Sequence, residues 1–274
     1  MKKTLISLSA LFVSLSLSAD ICIKNGDTVA FMGDSITQQG NKSDVGYVNL
    51  VMKGLEIAGV KANKLPAGIS GNKSNSMLAR LEKDVLSKKP QWMTFSCGVN
   101  DVWHGRTGVK LEQYKENVTK IFDMCASNGV KVIVLTATMI GEDANNDNNK
   151  KLVAYNEWLR EEAKRRNLRI ADLNADMQST LAEIRKTDKT QGNKLTRDGV
   201  HMAYKGNVMM AWGVLRAMGL DESMKKAVLS EFDNIPGAYN VAIKLSVKEY
   251  SDLVSKFKCD DKKLQEYVRE KLLK

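Results

Sequence analysis

Short, nearly unbroken apolar runs alternate along this chain with longer stretches whose apolar residues recur every three or four positions. The runs Thr28–Met32, Val60–Ala67, Trp92–Ser96, Val130–Ala137 and Leu168–Leu173 predict strands, and Val130–Ala137 (Val-Lys-Val-Ile-Val-Leu-Thr-Ala) is the clearest of them. Between them, Gly46–Ala58 carries Tyr47, Leu50, Val51, Leu55 and Ala58 at helical spacing, and Asn75–Ser87 carries Met77, Leu78, Leu81, Val85 and Leu86. Lys110–Ser127, ended by Asn128-Gly129, predicts a third helix, followed by Asn148–Arg166, Asp176–Lys186 and Lys205–Met218. Strands without strict alternation are expected where helices cover both faces of a sheet. The strand–helix alternation implies right-handed crossovers and parallel strands. The expectation is a three-layer α/β/α domain of doubly wound type over residues 20–220.

The two ends of the chain read differently. Lys2 and Lys3 precede an apolar stretch from Leu5 to Leu17, and Ser18 and Ala19 offer small residues for cleavage. Residues 1–19 therefore read as a secretory signal, with the periplasm or the exterior as destination and no integral membrane segment after cleavage. Ile21 is bulky where a lipoprotein site before Cys22 needs a small residue. Residues 221–274 read as a helical C-terminal extension. Ser246 and Glu249 form a capping-box pair ahead of a helix through Phe257, and Asp260 is placed to cap another through Leu273.

Composition narrows the classes. Of 274 residues, 43% are hydrophobic, which excludes a disordered chain, and the length allows a sizeable core without staples. The net charge of +10 falls to +8 when Lys2 and Lys3 are removed, and no dense basic tract with interleaved aromatics appears. Nucleic acid is not an expected partner. Cys22, Cys97, Cys125 and Cys259 contain no CxxC pair; Cys97 and Cys125 read as buried thiols, and a Cys22–Cys259 bridge is left open. Asp143, Asn145 and Asp147 mimic the start of a calcium loop, but Asn148 and Ala154 stand where Gly and Glu are required. No metal site is expected.

The chemistry gathers at the ends of the strands, where doubly wound sheets bind ligands. Ser35 follows the first strand in Gly33-Asp34-Ser35-Ile36. A serine nucleophile needs a base oriented by a carboxylate. Only two histidines exist, His104 and His201, and His201 lies in Asp198-Gly199-Val200-His201. Two intervening residues let Asp198 turn back onto the ring. Donors for a developing oxyanion come from Ser70-Gly71-Asn72 after the second strand and from Gly98-Val99-Asn100-Asp101 after the third. His104 is the rival base, without a carboxylate in the same arrangement.

Taken in order, Gly33-Asp34-Ser35, Ser70-Gly71-Asn72, Gly98-Val99-Asn100-Asp101 and Asp198 to His201 resemble the four blocks of the SGNH hydrolases, also called GDSL-type esterases and acylhydrolases. The resemblance covers residues 27–220. It implies a flavodoxin-like fold, Ser35 as nucleophile, His201 as general base and Asp198 as its orienting partner. It also implies an oxyanion hole built from the Ser35 and Gly71 N–H groups and the Asn100 side chain, with no metal or organic cofactor. Asp34, Trp103 and His104 are candidate substrate-binding residues. The expected activity is that of an exported serine esterase removing O-acetyl groups from carbohydrate. A lipid-directed acylhydrolase and a non-catalytic glycan-binding protein on the same fold remain open alternatives, as does the oligomeric state.

Overall fold

The computed structural model describes residues 21–236 and 246–257, which form two separate compact units. The signal segment, the helix capped by Asp260 and the bridge to Cys259 lie outside the described residues.

In the first unit, β1 (Thr28–Gly33), β2 (Asn63–Gly68), β3 (Trp92–Ser96), β4 (Lys131–Leu135) and β5 (Arg169–Ala171) form one sheet. All pairings are parallel and the order is β2-β1-β3-β4-β5. The order reverses between β1 and β3, so a crevice opens at the carboxyl ends of those two strands. Helices α1 (Ser35–Lys42), α2 (Tyr47–Ile57), α3 (Ser74–Asp84), α4 (Val99–Trp103), α5 (Leu111–Ser127), α6 (Asp147–Arg165), α7 (Leu173–Thr187), α8 (Tyr204–Ala217) and α9 (Lys225–Asp233) complete the unit. This is the expected α/β architecture with a flavodoxin-like strand order.

The core is built on the inner strands. Phe31, Met93, Phe95, Ile133 and Val134 are fully buried, and Phe95 meets Phe122 of α5 edge-on at 5.4 Å between ring centroids. The strand expected over Val60–Ala67 departs from that pattern. It starts at Asn63, and Asn63, Lys64 and Pro66 are exposed, because β2 is an edge strand. Pro66, which cannot donate to a ladder, is tolerated only in such a position.

Three helices have no counterpart in the sequence reading. α1 (Ser-Ile-Thr-Gln-Gln-Gly-Asn-Lys) is too polar, and α4, at five residues, too short, to show an apolar stripe. α9 buries only Val228 and Phe232, one turn apart. Those two side chains join the main core, so the first unit runs beyond residue 220. α7 begins at Leu173 rather than Asp176, because the Asp172 carboxylate accepts the Ala175 N–H and caps the helix there. The second unit contains α10 (Val247–Phe257), entered through a capping box: Ser246 N–H and Oγ donate to the Glu249 carboxylate, and Glu249 N–H returns to Ser246 Oγ.

Candidate active site

β1 leads straight into the site. Gly33 ends the strand, and a Cβ there would fall 2.0 Å from Thr37 Oγ1, so only glycine lets α1 turn back this tightly. Asp34 caps α1, its Oδ1 accepting the Ile36 N–H at 2.9 Å. Ser35 is the first helical residue, so its own N–H has no intrahelical acceptor and faces the crevice end of the helix. Below it, Thr37 Oγ1 and the fully buried Tyr47 hydroxyl share a hydrogen bond of 2.8 Å, which anchors α1 to α2.

Ser35 Oγ lies 2.9 Å from His201 Nε2, and His201 Nδ1 lies 2.6 Å from Asp198 Oδ2. Burial works to raise the Asp198 pKa. Bonds from the His201 ring and from the His201 and Val200 N–H groups outweigh it and hold the carboxyl at about 2. The ionised Asp198 accepts only, so Nδ1 carries the ring proton and Nε2 presents its lone pair to the serine hydroxyl. A hydroxyl in that position can pass its proton to the ring as it attacks an electrophile. His104 does not compete for it: its Nε2 lies 3.1 Å from Asn100 Oδ1.

The Asn100 amide is held at every corner. Nδ2 donates to Asp34 Oδ2 and to the Asn72 carbonyl, each at 3.1 Å, while Oδ1 faces the His104 ring. Two acceptors on one side and a ring nitrogen on the other leave the amide a single satisfactory orientation. Burial pushes the Asp34 carboxyl up to about 6; the Ile36 N–H opposes this, and the charge of Asp101 adds to it. Asp101, itself raised by burial, accepts the Ser74 N–H at 3.0 Å and so ties α4 to the start of α3.

Gly71 lies in the loop between β2 and α3 with φ of +74°, a conformation glycine adopts readily. Arg80 of α3 stitches that loop to the sheet. Its guanidinium donates to Asn72 Oδ1 at 2.6 Å, Gly33 O at 2.9 Å and Ala67 O at 2.8 Å. Nothing in the sequence distinguishes Arg80 from a solvated cation on a helix face; its role comes from where α3 lies. Trp103 is 45% exposed and meets the His104 ring edge-on at 6.2 Å.

The structure thus brings Ser35, His201 and Asp198 into one hydrogen-bonded line and Asp34, Asn100 and His104 into a second, the two meeting where Asp34 precedes Ser35 in the chain, with Gly71 in the adjoining loop and Trp103 beside His104. The polar segment 143–149 is a helix entry: Asn146 caps α6, and Asn149 Nδ2 donates to the Ile140 and Asp143 carbonyls. Among the described residues, no group of three or more His, Cys, Asp or Glu is placed to hold a metal ion.

Known proteins share this arrangement of chain. An acetylxylan esterase of Geobacillus stearothermophilus is 27% identical over 221 residues, covering 73% of this chain and 97% of that protein. The crystal structure of an acetyl xylan esterase, AlAXEase, superposes with a TM-score of 0.64 at 32% identity, over 69% of this chain and 98% of that one. Axe2, an acetylxylan esterase from Geobacillus stearothermophilus, superposes with a TM-score of 0.65 at 24% identity, over 73% and 97% of the two chains, and so speaks to the fold. Residues 31–208, from the first strand through the histidine turn into α8, match the sequence pattern of the GDSL-like lipase/acylhydrolase family. On that match and the 32% identity along nearly a whole relative, the chain belongs to this family, the SGNH hydrolases, and is a carboxylic ester hydrolase.

Proposed function

We propose that the protein is an exported serine esterase that removes O-acetyl groups from carbohydrate, with acetylated xylan as the substrate class. The observation that carries the mechanism is the unbroken line Ser35 Oγ–His201–Asp198, at 2.9 and 2.6 Å. Ser35 Oγ attacks the acetyl carbonyl carbon as its proton passes to His201 Nε2. The oxyanion is held by the Ser35 and Gly71 N–H groups and by the Asn100 N–H that otherwise donates to Asn72. The C–O bond to the sugar breaks, His201 returns the proton to the sugar oxygen, and Ser35 is left acetylated. Water then gives its proton to His201 and attacks the acetyl carbon, the bond to Ser35 Oγ breaks as His201 returns that proton to the serine oxygen, and acetate leaves.

The substrate reading rests on the Geobacillus stearothermophilus acetylxylan esterase and on AlAXEase, and the exposed indole of Trp103 beside His104 suits a sugar ring. Export rests on the Lys2–Lys3 and Leu5–Leu17 pattern. The test is hydrolysis of p-nitrophenyl esters from acetate to long chains, followed by acetate release from acetylated xylan, with Ser35→Ala as control. Activity falling steeply beyond acetate and absent from the variant is expected. A maximum at long acyl chains replaces the carbohydrate reading with a lipid-directed one. Full turnover by Ser35→Ala removes the nucleophile assignment.

A further inference from the structure

The Asp198–His201 turn belongs to no helix or named strand, yet its histidine meets a serine at hydrogen-bond distance. Something outside the turn must hold it. We infer that Glu142, on the loop between β4 and α6, is the positioning residue that fixes this turn and thereby keeps His201 on Ser35. The inference rests on the proposed roles of Ser35, His201 and Asp198.

Glu142 is buried, and its carboxylate takes four donors from three consecutive residues of one strap. Oε1 accepts Leu195 N–H at 2.8 Å, Thr196 N–H at 2.7 Å and the Thr196 hydroxyl at 2.7 Å, and Oε2 accepts Lys194 N–H at 2.7 Å. A carboxylate has about four such acceptor positions. Because it can only accept, the Thr196 hydroxyl must give it its proton. The hydroxyl's lone pair then takes the Gly199 N–H at 3.1 Å. Gly199 stands between Asp198 and His201 with φ of +93°, a conformation few other residues adopt. A polar path therefore runs from Glu142 through Thr196 into the turn itself. The neighbouring residue closes a second tie: Gly141 N–H donates to Gly199 O at 2.7 Å.

Both legs of the strap are then set. Arg197 N–H reaches His201 O and Ala203 N–H reaches Leu195 O, each at 2.8 Å, and Thr196 pairs with Met202 as an isolated antiparallel bridge. Glu142 is itself immobilised, since Arg185 donates to its backbone carbonyl at 2.6 Å and Asn149 fastens the loop on either side through Ile140 and Asp143. Buried ionic bonds of this kind are strong and directional. Such fixing matters because a misplacement of about 1 Å at a reacting pair costs on the order of a hundredfold in rate.

The test uses Glu142→Gln in the full chain. A carboxamide keeps the size but must turn its own N–H groups toward at least one of the donors already present. With p-nitrophenyl acetate, kcat is expected to fall on the order of a hundredfold, with KM changed by less than about threefold. Fluorophosphonate labelling of Ser35 should slow in parallel. The low-field proton resonance of the short His201 Nδ1–H···Asp198 bond should shift or broaden, a signature that loss of stability alone does not move in a sample still folded. A folded Glu142→Gln with wild-type kcat overturns the inference, and so does a slow variant whose resonance and labelling are unchanged. If Glu142→Gln does not fold, Thr196→Val decides: removing only the hydroxyl link should cost about fivefold in kcat and shift the resonance, and a wild-type rate overturns the inference. Wild-type protein without Ser35-dependent turnover sinks the proposed function instead; the resonance comparison still reads the clamp.

Discussion

The proposed nucleophile and its proposed base are held in place by two different kinds of structure. Ser35, Asp34 and Asn100 sit at the ends of β1 and β3, where core packing and helix caps set them within a few bonds of the sheet, and all three are buried. Asp198 and His201 hang on a strap of irregular backbone, and the Asp198 side chain is 54% exposed. On the sheet side, the same contacts serve stability and chemistry. On the strap side, Leu195, Val200 and Met202 anchor the backbone in the core, while the polar ties of Asp198 and His201 serve geometry and the exposed Asp198 side chain contributes little burial. A protein built this way should lose activity from either side, but lose stability chiefly from one.

Asp198→Asn is the strongest challenge to that contrast. It removes the charge that keeps the proton on His201 Nδ1, and kcat for p-nitrophenyl acetate should fall by about 10³- to 10⁴-fold. The side chain is exposed, and an amide oxygen still accepts the Val200 and His201 N–H groups, so the stability measured by urea unfolding should change by less than about 1 kcal/mol. A large loss of stability would erase the distinction between the two sides.

Asn100→Ala should behave in the opposite way. It removes the proposed oxyanion donor, for about 10² to 10³ in kcat, and it also strands buried acceptors on Asp34 and Asn72. Urea unfolding should report a loss of about 1–3 kcal/mol alongside the kinetic one. A variant of wild-type stability would mean the buried network on the sheet side is not the support described.

Asp34 sharpens the same point through pH. Its folded pKa of about 6 stands above the ordinary carboxylate value, so the native state binds more protons than the unfolded chain between about pH 4 and 6. Its contribution is therefore full below pH 4 and is lost as pH rises to 6. Asp198, held at about 2, works the other way, and its contribution disappears as pH falls from about 4 to 2. Unfolding free energies measured across this range should show the pH 4–6 decline in the wild type and lack it in Asp34→Asn. The smallest effect is expected at the rim. Trp103→Ala should raise KM for acetylated xylo-oligosaccharide by about threefold to tenfold, leaving p-nitrophenyl acetate kinetics and stability nearly unchanged.

How much of this was legible beforehand follows the same division. The apolar runs marked all five strands, and the inner ones to within a residue or two, because a strand buried on both faces has no freedom to be polar. β2 was read too long because one of its sides faces solvent and its apolar signal is correspondingly thin. α1, α4 and α9 left no periodic trace: α1 is a polar helix started by a strand end and the Asp34 cap, α4 has only five residues, and α9 buries only two side chains. Within the site, Ser35, Asn100, Asp198 and His201 stood out because their residue types carry chemistry and their blocks occur in order. Arg80 and Glu142 did not, since an arginine on a helix and a glutamate in a loop read as solvated charge.

The sequence by itself therefore determined the fold class, the strand order's raw material and the residues able to transfer a proton. It did so through burial and reactivity, which depend on residue type and local spacing. Tertiary structure alone decided which way the Asn100 amide faces, that Arg80 stitches the Gly71 loop to the sheet, and that Glu142, more than fifty residues upstream, grips the strap that carries His201. Those are hydrogen bonds between segments distant in the chain. Their partners are chosen by where the sheet brings each loop, a coordinate that no local pattern contains.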